Sequence, residues 1–378
     1  MKKLNIAIDA SFALGEKNGT NEYTNQLVKG LSEIDHDNNY TIFPFFTYIY
    51  DPDFKKYQPK LPSNFKLFLH DTPKKIIDLI WLKYKFLRRF YTPRFDIFHT
   101  TTFSISPKYM YKKLIVTVYD VSFYTHPQFH MKENVKHCQK GTVEAVKKAD
   151  KIIAISNRTK RDLISYFDCP EEKILVTPLA YDDYFDKKMS DNLKNKIMNK
   201  YKIKKPFIFH LGSLEPRKNT LGLIKAYRFL PKRLYNKFDL VIGGGKGWMN
   251  NEVLEYARKH GLKNVKFVGY IPDGDLPALY QKAKCFIYPS FYEGFGIPPL
   301  EAMASGCPTL VSNNSSLPEI CQNGALYCKP NDIEDISRKM EQLLTSKNEE
   351  LIKKARNQAN KFAWNKVADQ TLELYKNF

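Results

Sequence analysis

Cysteine, tryptophan and long hydrophobic runs are all scarce in this sequence. The six cysteines, Cys138, Cys169, Cys285, Cys307, Cys321 and Cys328, form no C-x-x-C pair and match no zinc spacing. That pattern favours small reduced core residues in a cytosolic protein over disulfides or a metal site. No window has the apolar length of a membrane span. The opening MKKLNIAIDASF has too short an apolar run for a signal peptide, and Asp9 breaks it. There is no short-period repeat, no low-complexity segment and no recognisable nucleic-acid-binding motif, so no nucleic-acid partner is expected. Charge of one sign is in excess: the formal net charge is +20. That excess keeps anionic ligands and anionic membrane surfaces open as partners.

What is present is ample core material, 43% hydrophobic and 14% aromatic over 378 residues. That is too much chain for one core, and two domains are expected. The second half alternates strand-like runs with helix-like patterns: PFIFHLGS, FDLVIGGG, VKFVGY, CFIYPS, PTLVSN and ALYCKP. The first half does the same with LNIAIDA, YTIFPFF, FKLFLH, FDIFHTT, KLIVTVYD, KIIAIS and KILVTPL. Strands separated by helices imply parallel sheets covered on both faces, hence an α/β chain of two Rossmann-like, doubly wound domains. Tyr23, Leu27, Leu31 and Ile34 share one face of the first helix, and Leu223, Tyr227 and Leu230 one face of a later helix. The seam falls in PLAYDDYFDKK. The expected division is 1–180, 181–361, and a C-terminal helix over 362–378 that packs back on the first domain.

Open α/β sheets bind ligands at the carboxyl ends of their strands. Three distinctive loops fall there: GSLEPRKN, GGGKGW and FYEGFG. In the first, Gly212 permits close backbone approach, and Arg217 and Lys218 offer adjacent cations before a helix, a natural diphosphate clamp. A plain solvated loop is the alternative. GGGKGW fails the Walker A pattern, because Gly247 follows Lys246, and fails G-x-G-x-x-G at Trp248. ATPase and NAD-enzyme readings weaken accordingly. In EGFGIPPLE, Pro298 and Pro299 mark a helix start, and Glu293 and Glu301 bracket it. For Glu301 alone, complementing the helix dipole is a sufficient role. Two acids around an anion-ready loop suit a ligand with hydroxyls at both ends and phosphates between, the layout of a nucleotide sugar.

With these motifs in view the chain resembles glycosyltransferase family 4, the retaining, nucleotide-sugar-dependent enzymes of GT-B fold, and their mannosyltransferase-like group. The likeness spans essentially the whole length and is densest in the second half. It rests on the E-x7-E pattern Glu293 to Glu301 embedded in PSFYEGFGIPPLEAMA, supported by LGSLEPRKN, VIGGGKGW, VKFVGYIPDGDLPALY and KFAW. The resemblance implies two domains facing a central cleft, the first for the acceptor and the second for the donor. It implies that Glu293 contacts the donor sugar near the reacting carbon, and that the backbone of Gly294, Phe295, Gly296 and Ile297 approaches sugar and diphosphate. Glu301 then holds the ribose, and Arg217 and Lys218 neutralise the leaving diphosphate. Tyr270, Ile271 and Leu276 line the base pocket, Gly212 and Ser213 lie by the diphosphate, and Gly19 faces it from the first domain. The implied reaction moves a hexose to a hydroxyl of a glycan or lipid-linked acceptor in cell-surface polysaccharide synthesis. No metal or cofactor is implied, and GDP-mannose is the first choice of donor.

Three positions depart from the family pattern. Tyr119-Asp120 stands where His-Asp is frequent, and a tyrosine is no base near neutral pH. Asn21 and Glu22 replace, in that order, the second glycine and the arginine of the N-terminal loop, and Ser213 stands where some relatives carry arginine. Tyr119 and Asp120 are still carried as residues at the reacting end. Asp51-Pro52-Asp53 reads as a surface turn rather than a D-x-D metal site, and His99, His126, His130 and His137 form no ligand spacing. The segment KKIIDLIWLKYKFLRRFYTPR, 74–94, is basic, aromatic and apolar together. It reads as a core-facing helix with a solvated basic face, or as a contact with anionic lipid on the inner face of the membrane. A cytoplasmic protein is expected. A sugar-nucleotide epimerase of the same fold and a non-catalytic sugar-nucleotide-binding protein are the competing readings.

Overall fold

The computed structural model describes residues 3–11, 13, 19–43, 61–68, 84–103, 105–245, 247 and 251–378. The Asp51-Pro52-Asp53 turn, the basic segment through Lys83, and Lys246 and Trp248 of GGGKGW lie outside the described residues. The chain divides into two compact units, 1–179 with 364–378, and 180–363.

The first unit is built on β1 (Asn5–Asp9), β2 (Asn39–Phe43), β3 (Phe65–Leu67), β4 (Phe95–Thr100), β5 (Tyr111–Val118), β6 (Lys151–Ala154) and β7 (Ile174–Val176). Their order is β3-β2-β1-β4-β5-β6-β7, and the pairings are parallel, with Ile6 opposite both Tyr40 and Ile97. The chain therefore reverses its direction of travel across the sheet between β1 and β4. The helix Gly19–Ile34 buries Tyr23, Leu27 and Leu31. Ile34, expected on the same face, is 37% exposed, so the apolar stripe stops before the last turn. Ser156 caps the helix Asn157–Phe167 by accepting from the Thr159 amide at 3.1 Å, and Asp168 ends it in the left-handed region.

The helix Trp364–Lys376 belongs to this unit. It packs on Gly19–Ile34 at Gly30, where a Cβ would lie 2.7 Å from the Ala368 side chain. Its Tyr375 hydroxyl meets His99 Nδ1 at 2.6 Å, and His99 Nε2 meets the Thr117 hydroxyl at 2.8 Å. Burial lowers the His99 pKa to about 3, so the imidazole is a neutral bridge inside the core.

The second unit carries β8 (Phe207–Leu211), β9 (Asp239–Gly243), β10 (Val265–Gly269), β11 (Cys285–Tyr288), β12 (Thr309–Ser312) and β13 (Leu326–Cys328), again parallel, in the order β10-β9-β8-β11-β12-β13. Every residue of β9, β11 and β12 is buried, as in a sheet covered on both faces. Leu223, Tyr227 and Leu230 enter its core as their spacing requires. Here the reversal lies between β8 and β11. Both units are α/β and doubly wound.

Candidate functional site

The reversal point of a doubly wound sheet leaves a crevice beyond the strand ends. In the second unit, Arg217 and Lys218 follow β8, and Glu293 follows β11, so these three side chains straddle that point. Lys218 Nζ donates to Glu293 Oε1 at 2.8 Å and Oε2 at 3.1 Å, and Arg217 Nη1 donates to Glu293 Oε2 at 2.9 Å. Arg217 Nη2 also donates to Glu215 Oε1 at 2.7 Å. Two cations thus meet two carboxylates, and all four side chains are at least largely buried. Burial works to raise the Glu293 carboxyl. The Arg217 and Lys218 charges and the Lys218 hydrogen bond outweigh it and hold the group at about 2, against an ordinary 4.5. Glu293 is a carboxylate at neutral pH: it accepts hydrogen bonds and cannot serve as an acid.

Backbone contacts lock the loops that carry these groups. Phe291 N donates to Arg217 O at 2.9 Å, and Arg217 Nη1 to Tyr292 O at 2.8 Å. Gly212 sits beneath the Lys218 stem: a Cβ there would be 3.4 Å from Lys218 Cγ. Gly244 of the GGG run has φ +134°, and a Cβ on it would fall 2.0 Å from Gly212 O, so the two loops touch backbone to backbone. The Ser213 carbonyl accepts from the Glu215 amide at 2.8 Å.

The helix Ile297–Ala304 starts at Gly296, whose φ is +111°; a Cβ there would lie 2.6 Å from Leu317 Cδ2. Pro298 and Pro299 occupy its first turn, where a missing N–H costs nothing. Among the described residues, none of the N–H groups of Gly294, Phe295 and Gly296 donates a hydrogen bond, although all three residues are buried. Such amides at a helix N-terminus suit an anion. Glu301, one turn in, is buried and accepts from the Tyr280 hydroxyl at 3.1 Å. Of the expected base-pocket residues, Tyr270 is 44% exposed, while Ile271 and Leu276 are buried.

Several contributors went unnoticed in the sequence. Tyr288, the last residue of β11, accepts from Lys218 Nζ at 2.6 Å. The Ser315 hydroxyl accepts from the Glu293 amide at 3.1 Å, and Ser316 donates to Glu293 O at 3.0 Å and Phe295 O at 2.7 Å. Asn219 donates to Pro289 O and Pro330 O. The visible signal for the serines was the run NNSS directly after a strand end.

Within the first unit, the expected residues have a chemically different setting. Asp120 Oδ1 accepts from the Ser122 amide at 2.8 Å and hydroxyl at 2.7 Å, and that hydroxyl meets His130 Nε2 at 2.9 Å. The buried Tyr119 hydroxyl has no hydrogen-bond partner among the described residues, and its ring meets Tyr23 edge-on at 5.7 Å. Gly19 opens the helix Gly19–Ile34, with nothing within 4 Å of a Cβ built on it. At the reversal point itself sits Asp9, buried, accepting from Ser11 N and Oγ and from the Thr100 and Thr102 hydroxyls. Desolvation raises it to about 6, against those hydrogen bonds. Among the described residues there is no group of three or more His, Cys, Asp or Glu placed to hold a metal, and no helix long and apolar enough to cross a membrane.

Comparison with known proteins adds the following. Residues 194–362 match the family model "Glycosyl transferases group 1", and residues 17–184 match "Glycosyltransferase Family 4". The O-antigen chain mannosyltransferase B of Escherichia coli is 35% identical over 271 residues, 70% of this chain and 70% of that protein. The serotype-specific mannosyltransferase WbdA of Escherichia coli is 36% identical over 232 residues, 60% of this chain but 28% of WbdA. Among solved structures, sucrose-phosphate synthase from Thermosynechococcus elongatus superposes with a TM-score of 0.77 at 17% identity, covering 99% of each chain. Anabaena HepE in complex with UDP and glucose gives 0.75 at 16% identity, covering 99% of this chain and 100% of that one. At such identities the structural likeness speaks for the fold, which is GT-B.

Proposed function

The chain belongs to the glycosyltransferases of group 1 and family 4, and from that membership we propose that it is a retaining, metal-independent hexosyltransferase. It takes a hexose, mannose first, from a nucleotide diphosphate sugar to a hydroxyl of a glycan or lipid-linked acceptor, in the synthesis of a cell-surface polysaccharide. The observation that carries this is the buried Arg217–Glu293–Lys218 cluster at the β8/β11 reversal, beside a helix N-terminus with undonated amides.

The chemistry follows from charge. The bond between the anomeric carbon and the diphosphate oxygen breaks, and negative charge develops on the nucleoside diphosphate. Arg217, Lys218 and the loop amides stabilise that charge from fixed positions, in a site where water screens it little. Glu293, ionised, accepts hydrogen bonds from sugar hydroxyls and opposes the positive charge growing at the ring. The acceptor oxygen bonds to the same face of the carbon, and its proton passes to the departing diphosphate. Glu301, steadied by Tyr280, accepts from the ribose hydroxyls. No cofactor is needed in this scheme. The preference for GDP-mannose is supported by the mannosyltransferase names of the relatives.

A cytoplasmic protein resting on the inner membrane face completes the proposal. Its support is a basic, aromatic surface in the first unit: Phe86 is 67% exposed, Phe90 is 74% exposed, and Arg89 lies 5.4 Å from the Phe90 ring.

Incubation with GDP-mannose, UDP-glucose and other nucleotide sugars, each with a lipid-linked glycan acceptor and in EDTA, tests the reading. GDP-mannose is expected to give transfer, with an α-linked product from an α-linked donor by NMR. An inverted product, loss of activity in EDTA, or conversion of the nucleotide sugar without an acceptor would each overturn part of it. The last outcome would identify an epimerase, and donor binding with no turnover a binding protein.

A further inference from the structure

We propose that the second unit carries a second ligand site, a cation-lined cavity at the C-terminal end of the Glu301 helix that takes a hexose phosphate. The cavity is half open to solvent, has a volume of about 380 Å³, and is lined by Asp186, Lys188, Lys194, Gln281, Ser305, Gly306 and Arg356, of which Asp186, Lys188 and Arg356 are exposed. Small-molecule sites run from about 300 to 1,000 Å³, so this one suits a monosaccharide phosphate and is too small for a nucleotide sugar.

The charge is unbalanced toward an anion, with Lys188, Lys194 and Arg356 against Asp186. The Lys194 side chain is only 10% exposed, and its partner is the outlying Asp191 at 2.8 Å. Asp186 is itself occupied, because the Tyr181 hydroxyl lies 3.3 Å and 3.2 Å from its two oxygens. Arg356 acts on Asp186 through its charge, without a direct ion pair among the described residues. Its guanidinium lies flat against Gly306: a Cβ on that residue, which has φ +75°, would sit 2.5 Å from Arg356 Nη2. Glycine there keeps the planar fork at the cavity wall, the group best suited to grip a phosphate through two parallel hydrogen bonds.

The walls are held in place before any ligand arrives. Gln281 Nε2 donates to Lys187 O at 2.8 Å, and Gln281 Oε1 accepts from Met189 N at 3.1 Å, which pins the backbone on both sides of Lys188. Ser305 Oγ donates to Phe185 O at 3.2 Å. The site also touches the machinery already described. Ser305 directly follows the helix that bears Glu301, and Gln281 follows Tyr280, whose hydroxyl bonds Glu301. Occupancy therefore has a short mechanical route to the proposed ribose contact.

Calorimetry on the full chain tests this without requiring turnover, so it stands or falls separately from the transfer reaction. The probe is glucose 6-phosphate, with glucose and inorganic phosphate as controls. Glucose 6-phosphate is expected to bind more tightly than either control. Arg356→Gln with Lys188→Gln is expected to weaken it at least about tenfold, one lost charge-assisted contact being worth that much. Arg217→Ala with Lys218→Ala is expected to leave it unchanged. Lys188→Gln alone, at an exposed residue, gives the same direction should the double variant melt early. No heat with glucose 6-phosphate, equal binding by the Arg356→Gln/Lys188→Gln protein, or loss only in the Arg217→Ala/Lys218→Ala protein overturns the site. Inorganic phosphate binding as tightly as the sugar phosphate overturns the hexose part.

Discussion

The two sheets reverse direction in the same manner, and each buries a carboxylate at its reversal point, yet the two carboxylates live in opposite surroundings. Glu293, beyond β11, is gripped by a guanidinium and an ammonium and held at about 2. Asp9, at the end of β1, meets hydroxyls and one amide among the described residues, and burial pushes it up to about 6. The same fold feature has been furnished with permanent charge in one unit and with neutral hydrogen-bond donors in the other.

The largest break in this comparison comes from emptying the charged crevice. Arg217→Ala with Lys218→Ala leaves the buried Glu293 without its two cations, and losing the charged partners of a buried ion costs about 3–5 kcal/mol, readable in a urea melt. The same variant is expected to lower kcat/KM on the order of a thousandfold, as when fixed stabilisers of a developing anion are removed. Retained kcat/KM with lowered stability would reduce the cluster to a structural one.

The pH dependence of stability separates the two carboxylates next. Glu293 is depressed on folding, so its contribution is full above pH 4.5 and is lost as the pH falls toward 2, worth about 3 kcal/mol at 1.36 per unit. Asp9 is raised, so its contribution is full below 3.8 and is lost as the pH climbs to 6, again about 3 kcal/mol. Melting temperatures of Asp9→Asn across pH 3 to 7 are expected to lose the decline between 4 and 6 while keeping the acid-side fall. An unchanged profile would mean that Asp9 titrates as an ordinary carboxyl. The smallest effect is expected at Tyr119→Phe, within about 1 kcal/mol of the parent, because the hydroxyl removed has no partner among the described residues. A fall in kcat there without a change in melting would assign the hydroxyl to substrate.

The strands were readable because parallel strands buried on both faces are continuous apolar runs, as in DLVIG and CFIY. The helix start at Ile297 was readable from its prolines. Arg217, Lys218 and Glu293 stood out individually, but their pairing did not: the bonds join residues 75 and 76 apart in sequence, and only the β8–β11 adjacency brings them together. Tyr288 sits in the strand run CFIYPS with nothing local to mark it, because its Lys218 partner is 70 positions away. Asp9 reads in the sequence only as an interruption of an apolar run, since its Thr100 and Thr102 partners lie 91 and 93 positions away, at the end of β4 and just beyond it.

The helix Trp364–Lys376 has a consequence for biosynthesis. Its Tyr375 closes a core whose other members, His99 and Thr117, leave the ribosome hundreds of residues earlier. Domains generally mature in the order of their translation. Here the unit translated first lacks the Ala368 contact at Gly30 and the Tyr375 contact at His99 until 180–363 has been synthesised. Nascent chains halted before Trp364 should therefore carry a finished second unit beside an unfinished first one, a state in which a chaperone has a defined surface to shield.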